Sequence, residues 1–260
     1  MVDRPRIGES VGERRVDLAA ALDPVVLARL AGLEPDAWQV DVLRSGAPRV
    51  ALNCCRQAGK STIAAVLGVH RALYVPGSLV LMLSPTLRQS SELFRKSSEV
   101  YRVAGARVPS VAESALRLEL ANGSRIVSLP GKEGTVRGYS GVDLLVIDEA
   151  ARVAGDLYMA VRPMLAVSGG RLVTLSTPFG NRGWWFEAWR DGGTDWLRVE
   201  VPATACPRIS GEFLDEERRT MGEWWFGQEY MCQFLDAQSQ AFSLRDIEAA
   251  FRDDVEAWEL

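Results

Sequence analysis

RVALNCCRQAGKSTIAAVLGVHRAL, residues 49–73, divides into three pieces. Residues 49–55 are a short apolar run of strand length. Residues 56–60 are polar and contain a glycine, so they read as a turn. Residues 61–73 are rich in Ala, Leu and Val at helical length, and the lone His70 falls on a mixed face where a structural role is expected. A strand, a tight turn and a helix in that order begin an alternating α/β chain.

The pattern repeats outward from there. SLVLML (78–83), DLLVID (143–148) and RLVTLS (171–176) are unbroken apolar runs. Helices are expected from Leu87 to about Val103 and near 156–166. Continuous apolar strands with helices between them predict a mostly parallel sheet covered on both faces. LRLEL-ANGS-RIVSL (116–129) alternates apolar and polar residues around Asn122-Gly123, the signature of a hairpin. Two short helices are expected near 23–31 and 36–44, the second started by Pro35-Asp36. Residues 1–20 read as a mobile arm and 21–195 as the core. Residues 196–260 read as an acidic lid, with WLRVEV (196–201) as a last strand and 212–252 helical and aromatic.

The 260 residues are 47% apolar and 25% charged, enough for one large α/β domain. No apolar run approaches the ~18–20 residues that span a bilayer, and residues 1–15 lack the apolar stretch of a secretory signal. Four cysteines, with Cys54 and Cys55 adjacent, form neither a disulfide framework nor a CxxC pair, and Cys206 and Cys232 read as core or surface thiols. These features predict a reduced, cytoplasmic protein. The net charge of −4 is uneven: residues 1–190 carry a net +6 and residues 191–260 a net −10. A polyanion facing the first part, or simply an acidic surface on the second, accounts for the split. Only Lys60, Lys96 and Lys132 are lysines among thirty basic residues.

The turn compares with the phosphate-binding pattern G-x-x-x-x-G-K-[ST]. There, backbone N–H groups cradle phosphates, the lysine reaches the β- and γ-phosphates, and the hydroxyl ligates Mg²⁺. Gly59, Lys60 and Ser61 fit, while Cys54 replaces the first glycine. Cys55, Arg56, Gln57, Ala58 and Thr62 complete the candidate phosphate site. Arg56 is placed either to contact phosphate or to pin the loop. At the end of the 143–148 strand, Asp148 is the candidate Mg²⁺ holder, with Ser61, and Glu149 the candidate general base.

Beyond these two motifs the chain resembles the ATPase portion of the large terminase subunit of tailed phages, from about Pro35 to Phe242. Arg56-Gln57-Ala58-Gly59-Lys60-Ser61 and Asp148-Glu149-Ala150-Ala151 carry the likeness. The resemblance implies a RecA/ASCE-type P-loop NTPase with a small C-terminal helical lid. It implies MgATP as the nucleotide, Trp38-Gln39 as an adenine-reading pair, and Ser176-Thr177 as a coupling motif. Ser84-Pro85-Thr86 is similar to the segment that faces nucleic acid in the wider helicase superfamily. Arg137, eleven residues before Asp148, matches the position of an arginine finger acting on a neighbouring subunit. Trp184-Trp185-Phe186 reads as packing between sheet and lid.

The implied activity is ATP-driven translocation of double-stranded DNA into a procapsid. The implied partners are DNA, a homo-oligomeric (pentameric) ring, the portal protein and the small terminase subunit. The implied place is the host cytoplasm, transiently at the procapsid. A nuclease domain is not expected within these residues. Two alternatives remain: a superfamily 2 helicase-like ATPase, which needs a second RecA-like domain, and a nucleotide-binding assembly module that does not turn over. Glu149 speaks against the latter, since a binding-only site has no need of a base.

Overall fold

The computed structural model describes residues 11–104, 107–131, 136, 138–236 and 244–250. Eight strands form one sheet: β1 (Arg49–Cys54), β2 (Leu79–Ser84), β3 (Ser110–Glu113), β4 (Arg117–Leu120), β5 (Arg125–Pro130), β6 (Leu144–Asp148), β7 (Arg171–Ser176) and β8 (Trp196–Val201). Their order across the sheet is β3-β4-β5-β2-β6-β7-β1-β8. The five pairings from β5 to β8 are parallel, and the β3/β4 and β4/β5 pairings are antiparallel.

Alternation along the strands sorts their side chains into two cores. On β2, Val80 and Met82 pack with α2 (Pro24–Leu30), α4 (Lys60–Tyr74) and α5 (Leu87–Ala104) on one face. Leu79, Leu81 and Leu83 pack with α6 (Gly155–Val161) and α7 (Trp184–Asp191) on the other. The expected helix near 156–166 is therefore α6, continued by a 3₁₀ turn over Arg162–Leu165. Helix α3 (Ala37–Arg44) completes the expected pair ahead of β1. The Asn122-Gly123 hairpin forms as expected, with Gly123 at φ 83° and Leu120 N donating to Ser124 O at 2.9 Å. Strand β3, which the sequence pattern did not suggest, extends that hairpin outward.

Two boundaries differ from the sequence expectation. Within the stretch read as an arm, Val11–Leu22 is a helix, α1. Leu18 and Leu22 on it are exposed, so apolar periodicity gives little signal; buried Ala20 and contacts from distant residues seat the helix. His70 Nε2 lies 3.1 Å from Ala20 O and 3.2 Å from Ala21 O, so the ring caps the end of α1. Burial holds the His70 imidazole below its usual range, in keeping with a structural role. Strand β8, expected to open the lid, instead pairs with β1 from Arg49↔Trp196 to Cys54↔Val201. It covers the ladder edge that β1 would otherwise leave unpaired.

Beyond β8, α8 (Gly211–Tyr230) is broken by Gly222 at φ 80°, ψ 165°. The chain then leaves the helix at Met231, and α9 (Leu244–Ala250) follows. The predicted aromatic joint is present. Trp185 is buried, with its ring centroid 5.5 Å from that of Phe234, while Trp184 stacks on Tyr158 at 3.9 Å. Among the described residues no helix is long and apolar enough to cross a membrane.

Candidate active site

The strand order brings three carboxyl ends to one edge of the sheet, where open α/β folds bind their ligands. Asn53 pairs with Ser176 and Asp148 with Leu175, so the loop after β1, the acids after β6 and the hydroxyls after β7 are neighbours. The loop turns sharply: Gln57 has φ 62° and Gly59, the N-cap of α4, φ 87°. The positive φ favours glycine at position 59, and a Cβ there would lie 2.8 Å from Gln39 Nε2 and displace that amide.

A cavity of about 410 Å³ opens at this edge. Of the candidate residues, Arg56, Gln57, Gly59, Lys60, Ser61, Thr62, Glu149 and Thr177 line it. Lys60 Nζ sits 3.6 Å from Glu149 Oε1, and Ser61 Oγ donates to Asp148 Oδ2 at 3.2 Å. Glu149 adopts a left-handed backbone, φ 51° and ψ 44°, an unfavourable conformation for a residue with a Cβ. Its N–H donates to Asp148 Oδ1 at 3.0 Å, which aims the two carboxylates differently. Ser176 Oγ accepts from Ala151 N at 3.2 Å and donates to Thr177 O at 2.7 Å, tying the β7 tip to the turn after β6.

Four further candidates make contacts outside the cavity lining. Gln39 accepts from Asp36 N at 2.9 Å through Oε1 and donates to Ala58 O at 3.2 Å through Nε2, so its amide braces the loop. Trp38 packs against the core on the α4 side of the sheet, outside the cavity lining. The Cys55 N–H donates to Val201 O at 3.0 Å, and the Cys55 thiol is buried 3.7 Å from Cys206 Sγ. The Ala58 carbonyl takes a second donor, Arg208 Nη2, at 3.3 Å. Arg137 lies outside the described residues.

The structure adds residues that sequence reasoning missed. Arg152, Lys96 and Gln89 line the same cavity. Arg208 holds both Asp36 carboxylate oxygens at 2.7 Å and so joins the segment after β8 to α3 and the loop. Glu229, at the end of α8, receives Arg56 Nε in a short charge-assisted hydrogen bond. Arg152 alone had a local signal, three residues after Glu149 in DEAAR. The other contacts join distant segments and have none.

Asp148 and Ser61 together test the fit of a divalent cation. A carboxylate oxygen and a hydroxyl converge beside a polar cavity, a hard donor set that suits Mg²⁺ with substrate oxygens completing the shell. Burial, then the neighbouring Glu149, push the Asp148 carboxyl up from 3.8 to about 6, against the pull of Lys60. The residues fit a group that would supply positive charge here.

A folded pKa above the unfolded one favours the protonated form. The associated stability is therefore full below about pH 4 and lost as pH rises through 6. The rise from 3.8 to about 6 is worth roughly 3 kcal/mol at most. Asp148→Asn, in chelator and without nucleotide, is expected to raise Tm by several degrees at pH 8 relative to wild type, with the gain vanishing near pH 4. Calorimetry at both pH values checks this, and a lower Tm for the variant at pH 8 contradicts it.

A family model described as terminase large subunit, T4likevirus-type, N-terminal, matches residues 52–249. The chain is 27% identical over 257 residues to the terminase large subunit of Thermus virus P23-45, covering 84% of this chain and 52% of that protein. It is 28% identical over 253 residues to the terminase large subunit of Escherichia phage T5, covering 88% and 56%. The chain thus spans about half the length of the curated relatives it matches. The large terminase ATPase domain of Thermus phage P74-26 superposes with a TM-score of 0.72 at 25% identity, covering 80% of this chain and 97% of that one. A large terminase from a thermophilic bacteriophage, solved in complex with ADP, shares the fold with a TM-score of 0.64 at 15% identity over 77% of this chain and 54% of that one. With the family match running through the loop, the acidic strand end and α8, this chain belongs to the terminase large-subunit family.

Proposed function

We propose that this chain is an ATP-hydrolysing motor domain that drives double-stranded DNA into a procapsid. The observation that carries the proposal is that Lys60, Ser61 and Glu149 line one polar cavity, with Lys60 paired to Glu149 and Asp148 hydrogen-bonded to Ser61 beside it. Lys60 and the loop N–H groups would bind the phosphates of ATP and neutralise charge as it develops on the transferring group. Asp148 and Ser61 would hold Mg²⁺, which when bound supplies further charge neutralisation.

Glu149 would take a proton from the attacking water as the water oxygen bonds to the γ-phosphorus and the bond to the β–γ bridging oxygen breaks, leaving ADP and phosphate. Ser176 and Thr177 are suited to relay the change, because they join the cavity wall to the turn carrying Arg152. In this reading Arg137 acts on a neighbour's nucleotide within a homomeric ring, taken as a pentamer on the portal. The helices beyond residue 210 move as a lid. The small terminase subunit and the host cytoplasm complete the setting.

Hydrolysis of ATP by the chain, stimulated by duplex DNA and abolished in Lys60→Ala, tests the reading; a folded wild-type protein that neither binds nor hydrolyses ATP overturns it. Mixing Glu149→Ala with Arg137→Ala chains tests the shared site. Recovery of part of the activity is expected, and no recovery with co-assembled, folded chains removes the trans arrangement.

A further inference from the structure

A second cavity, of about 450 Å³, opens at the opposite end of the sheet, where β6 and β7 begin. Asp143, just before β6, and Arg171, the first residue of β7, line it together with Asp23, Arg44 and Arg71. It shares no lining residue with the cavity beside Lys60. Strand β7 runs six residues from Arg171 to Ser176, which sets the two cavities about 17 Å apart. The charges around the second cavity do not balance. Asp23 accepts from Arg44 Nη2 at 2.7 Å and from Val25 N at 3.0 Å. Asp143 accepts from Arg71 Nη2 at 3.0 Å and from Leu79 N at 2.9 Å. Both carboxylates are thus engaged, and Arg171 is left over. Its Nη2 reaches only Val42 O, at 3.5 Å, and its Nε is shielded from water without an acceptor. Arg71 Nε is shielded and unpartnered in the same way.

A guanidinium stays charged and offers its N–H donors in a planar fork. Held partly out of water with no counter-ion, such a charge costs stability. Burial acts on Arg171 unopposed and pulls it below its usual range, whereas the Asp23 carboxylate raises Arg44 above its own. Among the described lining residues, Arg44, Arg71 and Arg171 stand against Asp23 and Asp143, a surplus of one positive charge. A phosphate or carboxylate group supplies the missing charge and matches the fork with paired hydrogen bonds. The volume exceeds that of a bare oxyanion, and Leu22, Leu43 and Leu144 add apolar wall, so there is room for a small organic body behind the charged head. We infer that this cavity is a second ligand site, taking a small molecule whose phosphate or carboxylate group becomes the counter-ion of Arg171. The inference stands apart from the nucleotide reading, since it uses none of the same residues.

The test uses the full chain without nucleotide, at constant ionic strength with chloride as the reference salt. Thermal unfolding is followed against rising inorganic phosphate and, separately, rising acetate. An anion that binds the folded chain alone raises Tm with its concentration, and whichever of the two does so names the headgroup. General salt effects act equally on wild type and variant, so the difference between them reports the site. In Arg171→Met, which keeps the length of the side chain without its charge, the anion is expected to bind about tenfold more weakly or worse. In Lys60→Ala, which disables the phosphate loop, the rise in Tm is expected to persist. An arginine that only caps α3 through Val42 O predicts a lower Tm for Arg171→Met with the anion effect unchanged. No rise with either anion in wild type, a rise of equal size in Arg171→Met, or a rise lost in Lys60→Ala overturns the inference. If Arg171→Met does not fold, Arg171→Lys, which keeps the charge and loses the planar fork, is expected to weaken the anion effect, and an unchanged effect there overturns the inference equally.

Discussion

Glu149→Gln is expected to slow ATP hydrolysis by a factor of about 10²–10⁴ while nucleotide affinity is retained. Glutamine keeps the length and volume of the side chain but cannot take a proton from water. The contact with Lys60 Nζ, 3.6 Å in the structure, becomes a weaker dipolar one, leaving the lysine freer to meet phosphate. The left-handed backbone at position 149 costs about the same for either residue, so the turn into Ala150–Arg152 is expected to persist. Single-turnover hydrolysis, measured beside equilibrium ATPγS binding, separates chemistry from binding. Turnover within threefold of wild type, with nucleotide bound, shows that Glu149 is not the base.

Trp185→Ala is the largest expected loss of stability, about 3–5 kcal/mol. The indole is 1% exposed, donates from Nε1 to Thr174 Oγ1 at 3.1 Å, and lies among the rings of Trp189 and Phe234. Thr174 in turn donates to Val50 O at 3.2 Å, so the indole is fastened to the two adjacent strands that carry the loop and the hydroxyl pair. Truncation leaves a cavity between sheet and α7 and removes the donor that the Thr174 hydroxyl accepts from. Urea titration of wild type and variant measures the difference. Trp185→Phe, which keeps most of the volume and loses the hydrogen bond, is expected to cost roughly 1 kcal/mol. A loss below 1 kcal/mol for the alanine variant contradicts the assigned packing.

The parts of this fold that were legible in the sequence are those with a local signature. Continuous apolar runs announced β2, β6 and β7, and Asn122-Gly123 announced the hairpin, because burial on two faces and a reversal each demand particular residues within a few positions. Gly59-Lys60-Ser61 and Asp148-Glu149 were legible as candidates for the same reason, since each is a short run of neighbours at a strand end. Helix α1 escaped notice because its attachment comes from residues such as His70, with Leu18 and Leu22 left exposed. Strand β8 was read as lid because WLRVEV does not reveal which neighbour completes its ladder.

At Gln39 the resemblance pointed to a nucleotide contact, and the structure adds hydrogen bonds of the amide to Asp36 and Ala58 that the sequence did not reveal. At Glu229 the sequence offered only one acid among sixteen beyond residue 190. Its meeting with Arg56, 173 positions away, was settled when α8 returned to the edge of the sheet. By itself the sequence determined the alternation of strands and helices, the glycine turn after β1 and the acidic end of β6, because each rests on neighbours along the chain. Only the tertiary structure decided which carboxylate answers which guanidinium, because an ion pair depends on distance in space, and separation along the sequence carries no record of it.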